Sequence, residues 1–350
     1  MEYLNRNSKK LFKIVLTLIA GSVLIFLAAW VISARVQYAK DRTVTNSVIQ
    51  SIKPIRENNF NYTYIFPLLS YDFTKANQFL RNESLNKKID DYVGINLANK
   101  NAQKISVYVR NLSDNHWSGV NEDDKFHPGS LLKVLIMMAY FRQAEMNPNI
   151  LNANFTYTKT IAQQTTSLDF SAPSSLEIGQ QYSVTQLIKT MIDASDNGAE
   201  TLLLNNIDRQ MLNNAYTDLS IPNPDTVTGD YTISPRQYSA FLRILYNSTY
   251  LSEIYSEQAL SIMAQSQYRA GISAGIPQSV SIAQKYGERV NETNGSIQTV
   301  ELHDCGVVYA VNHPYTVCVM TKGEDIQKLT QIIKDVSALV YKSLTEDPQN

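Results

Sequence analysis

The chain has 350 residues, enough to bury one large hydrophobic core or two modest ones. Its charge is nearly balanced, with 31 Lys and Arg against 32 Asp and Glu, and no basic stripe is visible. This balance argues against nucleic acid as a partner. The hydrophobic fraction of 44% is ordinary for a globular protein, so most of the chain is expected to fold in water.

The first element along the chain is an apolar segment, residues 14–34, that contains no charged residue. At about 1.5 Å per residue, a helix of this length reaches roughly 30 Å, the thickness of the hydrocarbon core of a bilayer. Basic residues flank it on both sides: Arg6, Lys9, Lys10 and Lys13 before it, and Arg35, Lys40 and Arg42 after it. The heavier positive load before the segment favours a cytoplasmic N-terminus.

We therefore predict a short cytoplasmic tail over 1–13, a transmembrane anchor over 14–34 and an extracytoplasmic location for the remainder. A cleaved signal peptide is the alternative, but no convincing small-x-small cleavage site is present. Residues 35–82 are polar and rich in Asn and Tyr. We interpret them as a stalk or membrane-proximal extension.

The elements from residue 83 onward begin with a helix and two strands. Leu85, Ile89, Val93 and Leu97 recur every four residues and predict a helix over about 83–100. Alternating residues predict strands over 105–112 and 116–121. A strongly helical run follows over 131–145.

The middle of the chain, from about 150 to 260, favours helices and loops, and the last third returns to strands. Helices are predicted over 184–194, 199–206, 235–246 and 324 to about 344, and strands over 280–285, 299–311 and 315–321. Strands at both ends of the domain imply one sheet assembled from distant segments. We predict an α/β (α+β) domain over 83–345, with an antiparallel sheet flanked by helices and an all-helical subdomain inserted over about 130–260.

The two cysteines, Cys305 and Cys318, fall in adjacent predicted strands. A cross-strand disulfide is one option in an exported domain. Two buried free thiols are favoured instead, because the register of the strands cannot be inferred from the sequence.

Three short motifs carry candidate chemistry. The first is Ser130-Leu131-Leu132-Lys133. If Ser130 opens a helix, Lys133 lies one turn later on the same face, where a desolvated amine can take the proton of the serine hydroxyl. Taken alone, the motif is also compatible with a serine that merely caps a helix.

The second motif, Ser195-Asp196-Asn197, lies between two predicted helices, and the third, Lys285-Tyr286-Gly287, ends a predicted strand. A serine hydroxyl can relay a proton and an asparagine can hold an amide substrate. The lysine can hold a carboxylate, and Gly287 lets a substrate approach the strand edge.

Together, the motifs occur in the order known from class A β-lactamases and penicillin-binding proteins. Residues 83–345 resemble that superfamily, and the likeness extends to the stretches 126–130, 233–236 and 303–309. The resemblance implies a serine hydrolase or acyltransferase that acts on an amide, either a β-lactam or a peptidoglycan peptide. It implies no metal and no organic cofactor.

The resemblance also implies a role for each site residue. Ser130 is the expected acylated nucleophile and Lys133 its general base. Ser195 is expected to shuttle a proton, and Asn197, Lys285 and Gly287 to bind substrate. The backbone N–H groups of Ser130 and Glu288 are the expected oxyanion hole.

Two features depart from the pattern of class A β-lactamases. Those enzymes carry a deacylating glutamate in a loop after the Ser-Asp-Asn motif. Here Glu200 is the one glutamate between Asn197 and Pro235, and we take it to be too close to the motif for that role. Asp225 or Asp230 is a candidate substitute, so efficient deacylation is not predicted.

Tyr286 is the second departure, because the family has a small hydroxylic residue there. Its ring is expected to crowd the cleft and alter recognition of a substrate carboxylate. The two departures leave an alternative open: a non-catalytic wall-binding or interaction module with the same fold. An esterase that uses a different acyl donor is a third hypothesis.

Overall fold

The computed structural model describes residues 29–30, 32–33, 52–56, 62–72, 79–166, 174–293 and 296–346. The chain divides into two compact units, Met1–Gln50 and Ser51–Asn350. The predicted tail and nearly all of the predicted anchor lie outside the described residues. In the part of the chain that is described, no helix has the length and apolar character needed to span a bilayer.

The unit Ser51–Asn350 contains nine described strands and nine described α-helices. The strands are β1 (Lys53–Arg56), β2 (Leu68–Asp72), β3 (Lys104–Asn111), β4 (Trp117–Val120), β5 (Asn154–Thr156), β6 (Gln181–Ser183), β7 (Ile282–Thr293), β8 (Ser296–Val308) and β9 (Tyr315–Gly323). The helices are α1 (Glu83–Ala98), α2 (Lys133–Met146), α3 (Lys159–Thr166), α4 (Val184–Asp193), α5 (Asn197–Asn206), α6 (Arg209–Asp218), α7 (Pro235–Tyr246), α8 (Glu253–Ala264) and α9 (Ile326–Thr345).

The central sheet has five strands in the order β4-β3-β9-β8-β7, and all neighbours are antiparallel. Strand β3, from the start of the domain, pairs along its whole length with β9 near the end. This pairing confirms the predicted sheet built from both ends of the domain. The predicted helical block lies between β4 and β7, with one short two-stranded ribbon, β5–β6, inside it.

Each face of the sheet has its own apolar core. One core joins the sheet to α1 and α9 through residues such as Ile89 and Ile333. The other joins it to the helical subdomain, and α2 is its centre, because ten of the fourteen residues of that helix are buried. The helix that follows Ser130 is therefore held rigidly between the sheet and the surrounding helices.

Local sequence signals explain several helix boundaries. Ser234 and Gln237 form a reciprocal capping box at the start of α7, where Pro235 occupies the first turn as predicted. Asp325 caps α9 by accepting from the backbone N–H groups of Gln327 and Lys328. These caps satisfy backbone donors that have no partner within the helix.

The described part of the predicted stalk or extension over 35–82 packs against the domain that follows it. Ile65 is buried, and the Glu257 carboxylate on α8 accepts hydrogen bonds from the backbone N–H groups of Thr63, Tyr64 and Ile65 at 2.8, 2.8 and 3.0 Å. A carboxylate that binds three amides clamps this segment to the domain. Composition alone did not show this, because the anchoring residue is distant in sequence.

Strand β7 is longer than predicted. No apolar alternation is visible in the sequence beyond Lys285, yet the strand pairs with β8 as far as Thr293. The motif Lys285-Tyr286-Gly287 therefore lies within a strand at the edge of the sheet. Cross-strand pairing with β8 overrides the polar local sequence.

The preference for two free thiols is wrong: Cys305 and Cys318 form a disulfide. The register of β8 and β9 places them directly opposite each other, with Cα atoms 4.0 Å apart. Both side chains are fully buried in the core on the helical side of the sheet.

Replacing both cysteines by alanine is expected to lower the free energy of unfolding by about 3 kcal/mol, because closing a loop of this size restricts the unfolded chain. Urea unfolding of the wild type and of C305A/C318A measures the difference. Reductant should destabilise the wild type and leave the double variant unchanged. A reductant effect of equal size on both proteins would contradict a stabilising disulfide.

Candidate active site

Ser130 lies in a 3-10 turn, Gly129–Leu132, that runs directly into α2. Gly129 has a φ of +52°, and a Cβ there would lie 2.7 Å from the carbonyl oxygen of Glu288. A Cβ at Gly287 would clash with the carbonyl oxygen of Pro128. The serine turn and β7 therefore meet backbone to backbone, and glycine is required on both sides of the contact.

Gly287 thus has a structural reason that the sequence did not reveal: it admits the turn that carries Ser130. Its role at the substrate stays a prediction. The backbone N–H of Glu288 also lies against Gly129, next to Ser130. This places the two N–H groups of the predicted oxyanion hole on adjoining segments.

Lys133 is fully buried at the start of α2. Its amine donates to the carbonyl oxygen of Ser195 at 2.6 Å, to Oδ1 of Asn197 at 2.5 Å and to Oγ of Ser195 at 3.3 Å. The Lys133 amine also forms an ion pair of 3.5 Å with the Glu200 carboxylate. Lys133 therefore links the serine turn to the Ser195-Asp196-Asn197 loop.

Lys285 reaches the same loop from the other side of the site. Its buried amine donates to Oγ of Ser195 at 2.8 Å and to the carbonyl oxygen of Tyr286 at 2.8 Å. The hydroxyl of Ser195 thus lies between two lysine amines. A hydroxyl has one donor and two acceptor sites, so Ser195 can receive a proton from one amine while passing its own to the other.

Burial governs the charge of both lysines. It lowers the pKa of Lys133, although the nearby Glu200 carboxylate opposes this by favouring the charged amine. It lowers the pKa of Lys285 well below its ordinary value, and the neighbouring Lys133 lowers it further. Burial and the closeness of the two amines both favour the neutral form of an amine in this site, and a neutral amine can act as a base.

In the Ser195-Asp196-Asn197 loop, one residue caps a helix and the other two contact Lys133. Asp196 caps α5 by accepting from the backbone N–H of Ala199 at 2.9 Å. Ser195 has a φ of +59°, in the left-handed region that serine rarely adopts. This conformation lets its carbonyl oxygen and its hydroxyl both face Lys133. The motif is therefore a helix cap and a site element at once.

Tyr286 fills the space beside Lys285. Its ring centroid lies 4.4 Å from the Lys285 amine and 4.3 Å from the ring centroid of Tyr268, on which it stacks. Tyr268 was missed in the sequence, because nothing in its local context indicates a partner on β7.

The candidate carboxylates are not placed as the sequence suggested. Asp225 and Asp230 are exposed, and Asp230 lies 3.8 Å from the guanidinium of Arg289. Glu200, which the sequence analysis takes to be too close to the motif, is the carboxylate paired with Lys133. The missed signal was its position three residues after Asn197 on α5, which puts both side chains on one helix face.

The buried histidine near the site is structural. His303 Nε2 lies 2.9 Å from the carbonyl oxygen of His127, and burial lowers the pKa of His303 to about 4. It is therefore neutral at physiological pH. No group of His, Cys, Asp and Glu side chains within the described ranges has the arrangement of a metal site.

Comparison with known proteins shows which family the chain belongs to. Residues 84–344 match the family described as "Beta-lactamase enzyme family". The chain belongs to this β-lactamase family. It is a serine hydrolase of the β-lactamase-like type, and the match spans all three motifs. No curated protein sequence matches the chain significantly.

Solved structures show the same fold. A mutant of PBP-A, captured as an acyl-enzyme complex with penicillin G, is 22% identical with a TM-score of 0.62, over 76% of this chain and 97% of that one. A class A β-lactamase from Mycobacterium abscessus is 19% identical with a TM-score of 0.59, over 74% of this chain and 98% of that one. A β-lactamase from Sphaerobacter thermophilus is 17% identical with a TM-score of 0.62, over 75% of this chain and 98% of that one. The predicted β-lactamase-like fold is thereby confirmed.

Proposed function

We propose that this β-lactamase-family domain forms an acyl-enzyme on Ser130 with an amide substrate, either a β-lactam or a cell-wall peptide. The observation that carries the proposal is the convergence of two buried lysine amines on Ser195, at 3.3 and 2.8 Å, next to the turn that bears Ser130. A protein that only binds a ligand does not need two buried amines that share one hydroxyl. It supplies a base for the attack and a proton for the leaving nitrogen.

The proposed reaction assigns one task to each group. Lys133 takes the proton of the Ser130 hydroxyl while its oxygen bonds to the amide carbon. The backbone N–H groups of Ser130 and Glu288 receive the negative charge that develops on the substrate oxygen. Asn197 holds the substrate amide throughout. A proton then passes through the Ser195 hydroxyl to the leaving nitrogen, and the carbon–nitrogen bond breaks.

We further propose that release of the acyl group is slow. Efficient deacylation needs a carboxylate that activates water beside the acyl group. The two aspartates that the sequence suggested for this role, Asp225 and Asp230, are exposed on the surface. A long-lived acyl-enzyme is typical of a penicillin-binding protein and would distinguish this chain from an efficient β-lactamase.

Labelling of the full-length protein with a fluorescent penicillin tests the acylation. The wild type and S113A, a control in an exposed turn, should be labelled to the same extent, and S130A should not be labelled. Equal labelling of S130A would rule out Ser130 as the nucleophile. An unlabelled wild type would favour the non-catalytic wall-binding module, or an esterase if it turned over a simple ester.

The proposal includes a membrane anchor over 14–34 and an extracytoplasmic domain, supported by the length and charge pattern of that segment. The full-length protein should stay in the membrane fraction after alkaline carbonate washing, and a variant without residues 14–34 should not. In spheroplasts, external protease should degrade the domain. Extraction of the full-length protein by carbonate, or protection from protease, would contradict this part of the proposal.

A further inference from the structure

The carboxylate of Glu200 lies beside Lys133, the proposed general base, although the sequence analysis predicts no carboxylate there. Its Oε2 lies 3.5 Å from the amine of Lys133, an amine that is itself fully buried. The Glu200 side chain is 22% exposed, so the pair lies at the border between the site and solvent. A carboxylate at this distance both attracts the charged amine and can accept a proton from it.

Other charged groups near Lys133 do not fill this position. Asp196 faces it too, but its carboxylate accepts from the Ser174 hydroxyl, from the N–H and hydroxyl of Ser175 and from the N–H of Ala199, at 2.7 to 2.9 Å. Asp196 is therefore committed to capping α5. Lys285, the neighbouring basic group, carries no carboxylate, and its amine donates to the Ser195 hydroxyl and to the Tyr286 carbonyl oxygen.

We propose that Glu200 is the proton partner of Lys133: it exchanges a proton with the amine and sets the strength of the base that activates Ser130. The inference rests on the proposed acylation of Ser130. It makes Glu200 a positioning residue that acts through Lys133, supplied by the first turn of α5 and not by a loop after the motif.

The proton balance of this step is simple. The proposed step starts from an ammonium on Lys133 and a carboxylate on Glu200. Transfer of one proton gives a neutral amine and a carboxylic acid. The neutral amine then takes the hydroxyl proton of Ser130 as its oxygen bonds to the substrate carbon, and the carbonyl π electrons move to the substrate oxygen.

The physical benefit is a base of useful strength. Burial favours the neutral amine of Lys133, and the Glu200 carboxylate favours the charged one. A general base works best when its pKa lies near the working pH. Without Glu200, burial alone leaves an amine that is neutral at lower pH but is a weaker base.

The test compares the wild type with E200Q, E200D and E177Q, the last a control at an exposed glutamate. The rate of acylation of the full-length protein by penicillin G is measured against pH. In E200Q, the rise of the acylation rate on the acidic side of the pH profile should move down by about one pH unit, as expected for loss of an opposite charge within 4–6 Å. The maximal acylation rate of E200Q should also be lower than that of the wild type. E200D should retain part of the shift, and E177Q should match the wild type.

A second readout does not depend on activity. In protein labelled with 13C-lysine, the Lys133 signal, assigned by its loss in K133M, should titrate at lower pH in E200Q than in the wild type and E177Q. Superimposable titrations in all three proteins would overturn the role of Glu200, even if acylation occurs. A shifted titration without any acyl adduct would instead refute the acylation and leave the pair intact.

Discussion

Replacing Lys133 by methionine is expected to lower the rate of acylation by penicillin G by about 10²- to 10⁴-fold, the usual contribution of a general base. The side chain of methionine fills similar space but cannot accept the proton of Ser130. The amine of Lys133 also holds the Ser195 carbonyl and Asn197 in place, at 2.6 and 2.5 Å. Stopped-flow measurement of acylation under pseudo-first-order conditions gives the rate.

K189M is the matched control, because Lys189 is an exposed lysine on α4. It should acylate like the wild type. Since K133M leaves the carboxylate of Glu200 without its amine, the double variant K133M/E200Q separates loss of the base from loss of folding. It should melt closer to the wild type than K133M and remain slow. A K133M rate within about threefold of the wild type would exclude Lys133 as the base.

Replacing Tyr286 by threonine is expected to speed acylation by penicillin G by about tenfold or more, the value of a hydrogen bond to a charged group. The Tyr286 ring lies 4.4 Å from the Lys285 amine and covers it. Two hydrogen bonds already engage that amine, to Ser195 and to the Tyr286 carbonyl. Threonine removes the cover and adds a hydroxyl beside the place where a substrate carboxylate would bind.

The methyl ester of penicillin G separates charge recognition from simple widening of the cleft. Y286T should prefer the free acid over the ester more strongly than the wild type does. Y286F keeps the ring and should behave like the wild type. An equal gain for acid and ester would show that Tyr286 limits access only by its size, and no gain for either would show that it does not restrict the site.

Much of the site was predictable because the motifs are local and each lies at an element boundary. Ser130 and Lys133 are joined by one helical turn, and the capping chemistry of Asp196 fixes the start of α5. Geometry of this kind follows from helix periodicity and caps. The order of the motifs, which matches that of the family, then indicated that Ser195 and Lys285 share the site.

The features that were missed depend on contacts between distant segments. The disulfide required the register of β8 against β9, and a shift of one residue would have moved one cysteine to the other face. The clamp by Glu257 and the stacking of Tyr268 on Tyr286 likewise join residues far apart in sequence. No local pattern encodes such pairs.

Glu200 is a different kind of miss. Its spacing from Asn197 on α5 was visible, and periodicity alone placed both side chains on one face. The family resemblance instead predicts a carboxylate in a later loop, and this expectation outweighs the helical spacing. The structure shows that the position facing Lys133 is reached from the helix itself.

The most direct test of the central claim is to locate the acyl group. The full-length protein is incubated with penicillin G, digested, and mapped by mass spectrometry, with samples taken over time after removal of free ligand. We predict a single penicilloyl group on the peptide that contains Ser130, persisting long after the ligand is removed. An adduct on any other residue, or none on the wild type, would contradict the account.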